Sequence, residues 1–226
     1  MTGPSGMNVE SAVRDRYSAG ADSADATLCC VVDYEPKYLE VIPQELIEKD
    51  YGCGDPTVYC RTGQTVLDLG CGGGKVCYIL SQKVGREGRV IGVDMNVDML
   101  ALARKYRKEI GERLGYANVE FRKGRIQDLR LNLDLVDAWL GEHPVRSAAD
   151  LTALEAYSAE ISANAPLVED ESIDVIVSNC VLNRVRPDQK AAMFAEMYRA
   201  LRNGGRAVIS DIVSDESVPE AMQQDP

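Results

Sequence analysis

An α/β fold of three layers, with a mainly parallel sheet in the middle, is predicted by three observations. Short apolar runs recur at 64–70, 89–95, 118–124, 172–181 and 205–213. Stretches of helical period separate most of them. A glycine cluster follows the first run directly, at the carboxyl end of a strand, where sheets of this class bind small molecules.

Residues 1–26 are small, polar and weakly patterned, and read as a mobile arm ahead of one domain over 27–226. In YLEVIPQELIEK (38–49), Leu39, Ile42, Leu46 and Ile47 fall on one helical face, with Pro43 near a helix start. DYGCGDP is a turn-rich loop. QTVLDLG (64–70) is the first strand, and Val76, Ile79, Leu80 and Val84 mark the helix after it. RVIGVDM (89–95) is the second strand. A single helix is predicted from Asp98 to Leu114, with Met99, Leu102, Tyr106, Ile110 and Leu114 in period. NVEFRKG (118–124) and SIDVIVSNCV (172–181) are the third and fourth strands. A helix over Pro187–Leu201, apolar at Met193, Phe194, Met197 and Leu201, is expected to end on Asn203-Gly204-Gly205 as its cap. GRAVISDIV (205–213) is the fifth strand. Residues 130–168 break the rhythm with the sole tryptophan, Trp139, and a helix start at Ser147 backed by Asp150. They read as an insertion beside the sheet, either covering a substrate or packing outside.

The chain has 226 residues, 25 basic against 36 acidic, a formal charge of −11. That balance disfavours nucleic acid and anionic membrane as partners. No apolar run approaches the ~20 residues of a membrane span, and the first residues lack a signal peptide's apolar stretch. A soluble, cytoplasmic protein is the expectation. Six of the seven cysteines fall between 29 and 77. An odd count without a secretion signal argues against a disulfide scaffold. With no C-x-x-C pair and a single histidine, His143, no resident metal is expected.

The first strand and its loop read VLDLGCGGGKVCYIL. Gly70 and Gly72 fit a dinucleotide fingerprint, but its third glycine would fall at Lys75, one place after Gly74. Asp68, two places before Gly70, would repel a pyrophosphate and suits a cationic ligand. The spacing Asp68, Gly70, Gly72, Gly74 resembles motif I of the class I S-adenosylmethionine-dependent methyltransferases, with a Rossmann-like fold. The resemblance makes S-adenosylmethionine the expected cofactor. Asp94 would grip the ribose hydroxyls, with Met95 beside it. Ile126 would pack on the adenine, and Gln127 or Asp128 would meet its amine.

DYGCG (50–54), SNCVLN (178–183) and the vicinal Cys29-Cys30 are similar to the arsenite methyltransferase family, as is most of the wording from residue 27 onward. The resemblance implies that Cys53 and Cys180 hold trivalent arsenic, a soft centre suited to thiolates. Cys29 or Cys30, more so Cys29, would be the third thiol and later pair with Cys53 as a disulfide. Tyr51 would lie against the cofactor's methionine end, and Asn179, at the strand's mouth, would also meet the cofactor. Cys60, Cys71 and Cys77 match no arsenic-binding motif and are read as structural, Cys71 meeting the cofactor through its place in the loop. A thiol reductant, thioredoxin or glutathione, would restore the cysteines. Arsenite or methylarsenite is the implied substrate. The other functional readings are a thiol protein that captures arsenite without turnover, and a methyltransferase for another small molecule.

The chain departs from the family in its longer insertion, in Asn183-Arg184 where the family has Asn-Leu, and at its end. Five strands are counted where the fold has seven, so the expected fold is truncated. The resemblance implies that the family's pattern continues past Asp225-Pro226 into a C-terminal region with a further arsenic-liganding cysteine, so this sequence is expected to be a fragment, to dimerise or to have compromised activity. An unpaired fifth strand is expected to pair with something.

Overall fold

The structure, a computed structural model, describes residues 32–49, 52–213 and 215. Cys29, Cys30, Tyr51 and the 1–26 segment lie outside the described residues. Five strands form one parallel sheet: β1 (Thr65–Leu69), β2 (Arg89–Asp94), β3 (Val119–Lys123), β4 (Ile173–Asn179) and β5 (Leu201–Ser210). Their order is β3-β2-β1-β4-β5. The chain winds outward from β1 to β3, then returns to the other side of β1 as β4. A crevice therefore opens between the carboxyl ends of β1 and β4, the switch point where such sheets bind ligands.

The sheet is covered on both faces, and the alternation of its strands shows it. Val66, Val90, Val175 and Val177 pack into one cluster with Tyr78, Leu80, Leu100 and Ile110. Leu67, Leu69, Ile91 and Val93 face the other way, onto Leu167, Met193 and Met197. Near-continuous apolar strands are what burial on both sides requires. The first face carries α1 (Pro36–Leu39), α2 (Gln44–Glu48), α3 (Lys75–Val84), α4 (Val97–Lys105) and α5 (Arg107–Leu114); the second carries α8 (Lys190–Ala200).

The predicted single helix over 98–114 is two helices, broken at Tyr106. Tyr106 has φ −96° and ψ −1°, and its hydroxyl is tied to Glu45 on α2. That tertiary tie overrides the helical period, while Met99, Leu102 and Ile110 remain buried as expected. The 38–49 helix is likewise two short ones, with Pro43 as the cap of the second. Asn203-Gly204-Gly205 is not a helix cap. Helix α8 stops at Ala200 and β5 begins at once, so the glycines form a bulge: Ile173 pairs with Leu201, yet Val175 pairs with Arg206. Phe194, expected on the buried face of α8, is about half exposed.

The insertion folds as α6 (Leu133–Glu142) and α7 (Ala148–Asn164). Ser147 Oγ accepts from the Asp150 N–H, and Asp150 accepts from the Arg146 N–H, which is the expected cap. Asp134 on α6 fastens the hairpin to β3 through the Lys123 N–H at 2.8 Å and to Arg104 at 2.8 Å. Only Ile161 of α7 is buried. The hairpin packs outside the sheet edge, and no described residue of it lines the crevice. Among the described residues no helix is long and apolar enough to cross a membrane.

Candidate functional site

The floor of the crevice is the turn from β1 into α3. Gly70, Gly72 and Gly74 all have positive φ, at +74°, +51° and +84°. At Gly70 a Cβ would lie 2.6 Å from Val181, so glycine is required by both backbone and space. The Gly70 and Cys71 N–H groups share the Val93 carbonyl, and the Gly72 N–H donates to Asp94 at 2.8 Å. The other Asp94 oxygen accepts from the Asn96 N–H at 2.8 Å. Burial pushes the Asp94 carboxyl up, and the N–H groups of Asn96, Gly72 and Met95 pull it back. Asp68 is buried beneath the same loop and also lines the crevice. Two carboxylates thus face one cleft, an arrangement that favours a cationic ligand.

The far wall contains Met95, Met99, Gly124, Ile126 and Gln127. Of the two candidates for an amine contact, only Gln127 lines the cleft, where it donates to Gln189 at 3.0 Å. The Asp128 carboxylate instead accepts from the Arg130 and Leu131 N–H groups. These residues suit S-adenosylmethionine: carboxylates for hydroxyls and a sulfonium, apolar side chains for an adenine, glycines for close backbone approach.

The near wall is the end of β4. Cys53 and Cys180, 127 residues apart, are joined there as a disulfide, with Cα atoms 5.8 Å apart. The expected later pairing of Cys53 with Cys29 or Cys30 falls on residues outside the described ones, and Cys180 is its partner here. The physical reason is Asn179, whose side chain accepts from the Cys53 N–H at 2.9 Å and donates to the Gly54 carbonyl at 2.8 Å. It holds the 52–54 loop against the strand end. At Gly52 a Cβ would sit 2.4 Å from the Asn179 amide, so only glycine permits that approach. Tyr34 adds a bond to the Gly54 carbonyl at 3.2 Å. Cys180 has φ +57°, a left-handed conformation that is rare outside glycine and here aims its side chain at Cys53.

Asp68, Gly70, Cys71, Gly72, Asp94, Met95, Ile126, Gln127, Asn179 and Cys180 all line this one cleft, while Cys53 meets it through Cys180. Gly74 lies just behind it as the cap of α3. Sequence reasoning missed Val181, Arg186 and Gln189 on the cleft wall, and Ser210, whose hydroxyl is 3.8 Å from the Cys53 sulfur. The Asn183-Arg184 departure falls here too: Arg184 lines the cleft and Asn183 donates to Asp211 on the stretch after β5. Ser210 and Asp211 carried a signal, since they end the fifth strand as Asn179 and Cys180 end the fourth.

The sequence pattern of the methyltransferase domain family matches residues 61–153 and 142–226. The chain belongs to that family. It is 35% identical over 201 residues to an arsenite methyltransferase of Aquipseudomonas alcaligenes, covering 87% of the chain and 48% of that protein. It is 32% identical over 195 residues to an arsenite methyltransferase of Mus musculus, covering 85% of the chain and 42% of the relative. Its fold matches the crystal structure of an arsenic (III) S-adenosylmethionine methyltransferase from Chlamydomonas reinhardtii with TM-score 0.61 and 30% identity, over 83% of the chain and 51% of that structure. The chain thus spans about half the length of these relatives.

Proposed function

We propose that the chain transfers a methyl group from S-adenosylmethionine to trivalent arsenic held by thiols, an arsenite methyltransferase activity serving arsenic detoxification in the cytoplasm. One observation carries the reading: two cysteines 127 residues apart in the chain meet at the mouth of a cleft suited to the cofactor. The cofactor, when bound, supplies an electrophilic methyl on a cationic sulfur. Asp94 and Gln127 would hold its ribose and adenine, and Asp68 would complement its charge.

Cys53 and Cys180, with Cys29 or Cys30 as a third thiol, would bind the metalloid and leave its lone pair available. The nucleophile then needs no general base, and the protein's contribution is alignment. Each thiol proton leaves with an arsenic hydroxyl as water. The disulfide form binds no arsenic, so a small thiol such as glutathione, or thioredoxin, would have to open the Cys53–Cys180 bridge first. Tyr51 would border the methionine end.

The test is turnover of the purified chain with arsenite, S-adenosylmethionine and glutathione, read by chromatography of arsenic species. Methylarsenicals that disappear in Cys53→Ser and in Cys180→Ser are expected. Arsenite captured by thiols with no methylated product would instead identify a binding protein. Turnover of another acceptor, indifferent to both cysteines, would overturn the arsenic reading and keep the methyltransferase.

A further inference from the structure

Two cysteines that the proposed reaction does not use lie together beneath the cofactor loop. Cys77, on the first turn of α3, is fully buried, and Cys71, in the loop, is nearly so. A Cβ placed on Gly92 would lie 2.8 Å from both sulfurs. The two sulfurs are therefore no further apart than twice that distance, in the space β2 leaves at its glycine. Cys77 donates to Asp68 at 3.2 Å, and the Cys71 thiol is directed at the Gly72 carbonyl at 3.9 Å. Cys71 forms part of the cleft wall, and Cys77 lies buried behind it, so an arsenical would meet Cys71 first and reach Cys77 through it.

We propose that Cys71 and Cys77 form a second arsenical site, a dithiol that takes a trivalent arsenic carrying one carbon substituent and two exchangeable hydroxyls. Two As–O bonds break and two As–S bonds form. Each thiol hydrogen leaves with a hydroxyl as water, and no electrons are exchanged. Burial holds Cys71 up at about 11 and pushes Cys77 well above its ordinary value, so both enter as neutral thiols and each must give up its hydrogen as the As–S bond forms. Asp68 is a hard oxygen donor and a poor third ligand for a soft centre, which leaves the third arsenic bond to carbon. A consequence rests on the function proposed above: a singly methylated product has this form, and at the dithiol it would obstruct the cofactor cleft.

The site is tested on the full chain with Cys29, Cys30, Cys53, Cys60 and Cys180 replaced by serine, reduced and treated with phenylarsine oxide. Native mass spectrometry and a thiol count are the readouts. One arsenical per chain with both thiols consumed is expected, and S-adenosylhomocysteine is expected to slow labelling by at least about tenfold through competition for the cleft. Labelling only after denaturation overturns the site. Should the five-serine chain fold poorly, the wild-type chain and Cys77→Ala are compared instead. Loss of one bound arsenical in Cys77→Ala supports the site, and an unchanged number overturns it. Labelling that S-adenosylhomocysteine does not slow leaves the dithiol standing and counts against the cofactor reading of the cleft.

Discussion

Around Gly70 the cleft wall is continuous with the core: Val93 bonds two loop N–H groups, Asp94 bonds two more, and Tyr78 and Leu80 are sealed on the helix that follows. Around Cys53 the wall is a loop laid over strand ends, held by one amide side chain, one tyrosine hydroxyl and the bridge to Cys180. The contrast teaches that the two halves of the site fail differently. Changes on the glycine side unfold the sheet as they weaken the cofactor, whereas changes on the thiol side remove chemistry from a sheet that stays folded.

The largest effect expected from this contrast is in the thiols. Cys180→Ser, assayed under reducing conditions so that the bridge does not contribute, should lower arsenite methylation by about 10³-fold, or ~4 kcal/mol. Cofactor affinity measured by calorimetry should stay within about twofold, since the serine is nearly isosteric. A matched loss of cofactor binding would show that the halves are not separable. Gly70→Ala comes next. A methyl against Val181 and a left-handed alanine together should cost about 2–4 kcal/mol in urea unfolding, with weakened cofactor binding. Asn179→Ala should cost about 1–3 kcal/mol by stranding the Cys53 N–H and Gly54 carbonyl. Its methylation rate should fall up to about 100-fold through misplacement of Cys53, a larger loss than that in cofactor affinity.

The smallest effect concerns the segment leading into the thiol loop. Hydrogen bonds from Lys105, Tyr106 and Lys49 hold the Glu45 carboxyl down to about 2. A lowered carboxyl stabilises the fold above its ordinary value of 4.5, and that stability is lost as pH falls toward 2. Glu45 sits near the surface, so the contribution is below about 1 kcal/mol. Glu45→Gln should flatten this part of the acid limb of stability, read by circular dichroism between those pH values. An unaltered limb would show that the tie contributes nothing to the fold.

Legibility in the sequence follows the same division. The Asp68–Gly74 turn, Asp94 and Ile126 could be read because each sits at the end of a strand marked by its own apolar run. Ser147 and Asp150 could be read because a cap is a local bond. The Tyr106 break could not, since its cause is Glu45, 61 residues away along the chain. The early start of β5 was hidden because Asn203-Gly204-Gly205 has the composition of a helix stop, and only pairing with β4 makes it a bulge. The Cys53–Cys180 pairing was beyond any local signal. Motif resemblance put both cysteines on arsenic, but the bond between them depends on Asn179 crossing from β4 to a loop 126 residues earlier.

Cys180 is the residue where durability and purpose pull apart. Its left-handed backbone costs an ordinary side chain about 1–2 kcal/mol, and glycine would sit there without penalty. In a reducing milieu, a population selected for thermal robustness alone should drift to glycine at this position, while one selected for survival on arsenite should not. A deep mutational scan run under both regimes would see the site change its preferred residue with the condition imposed.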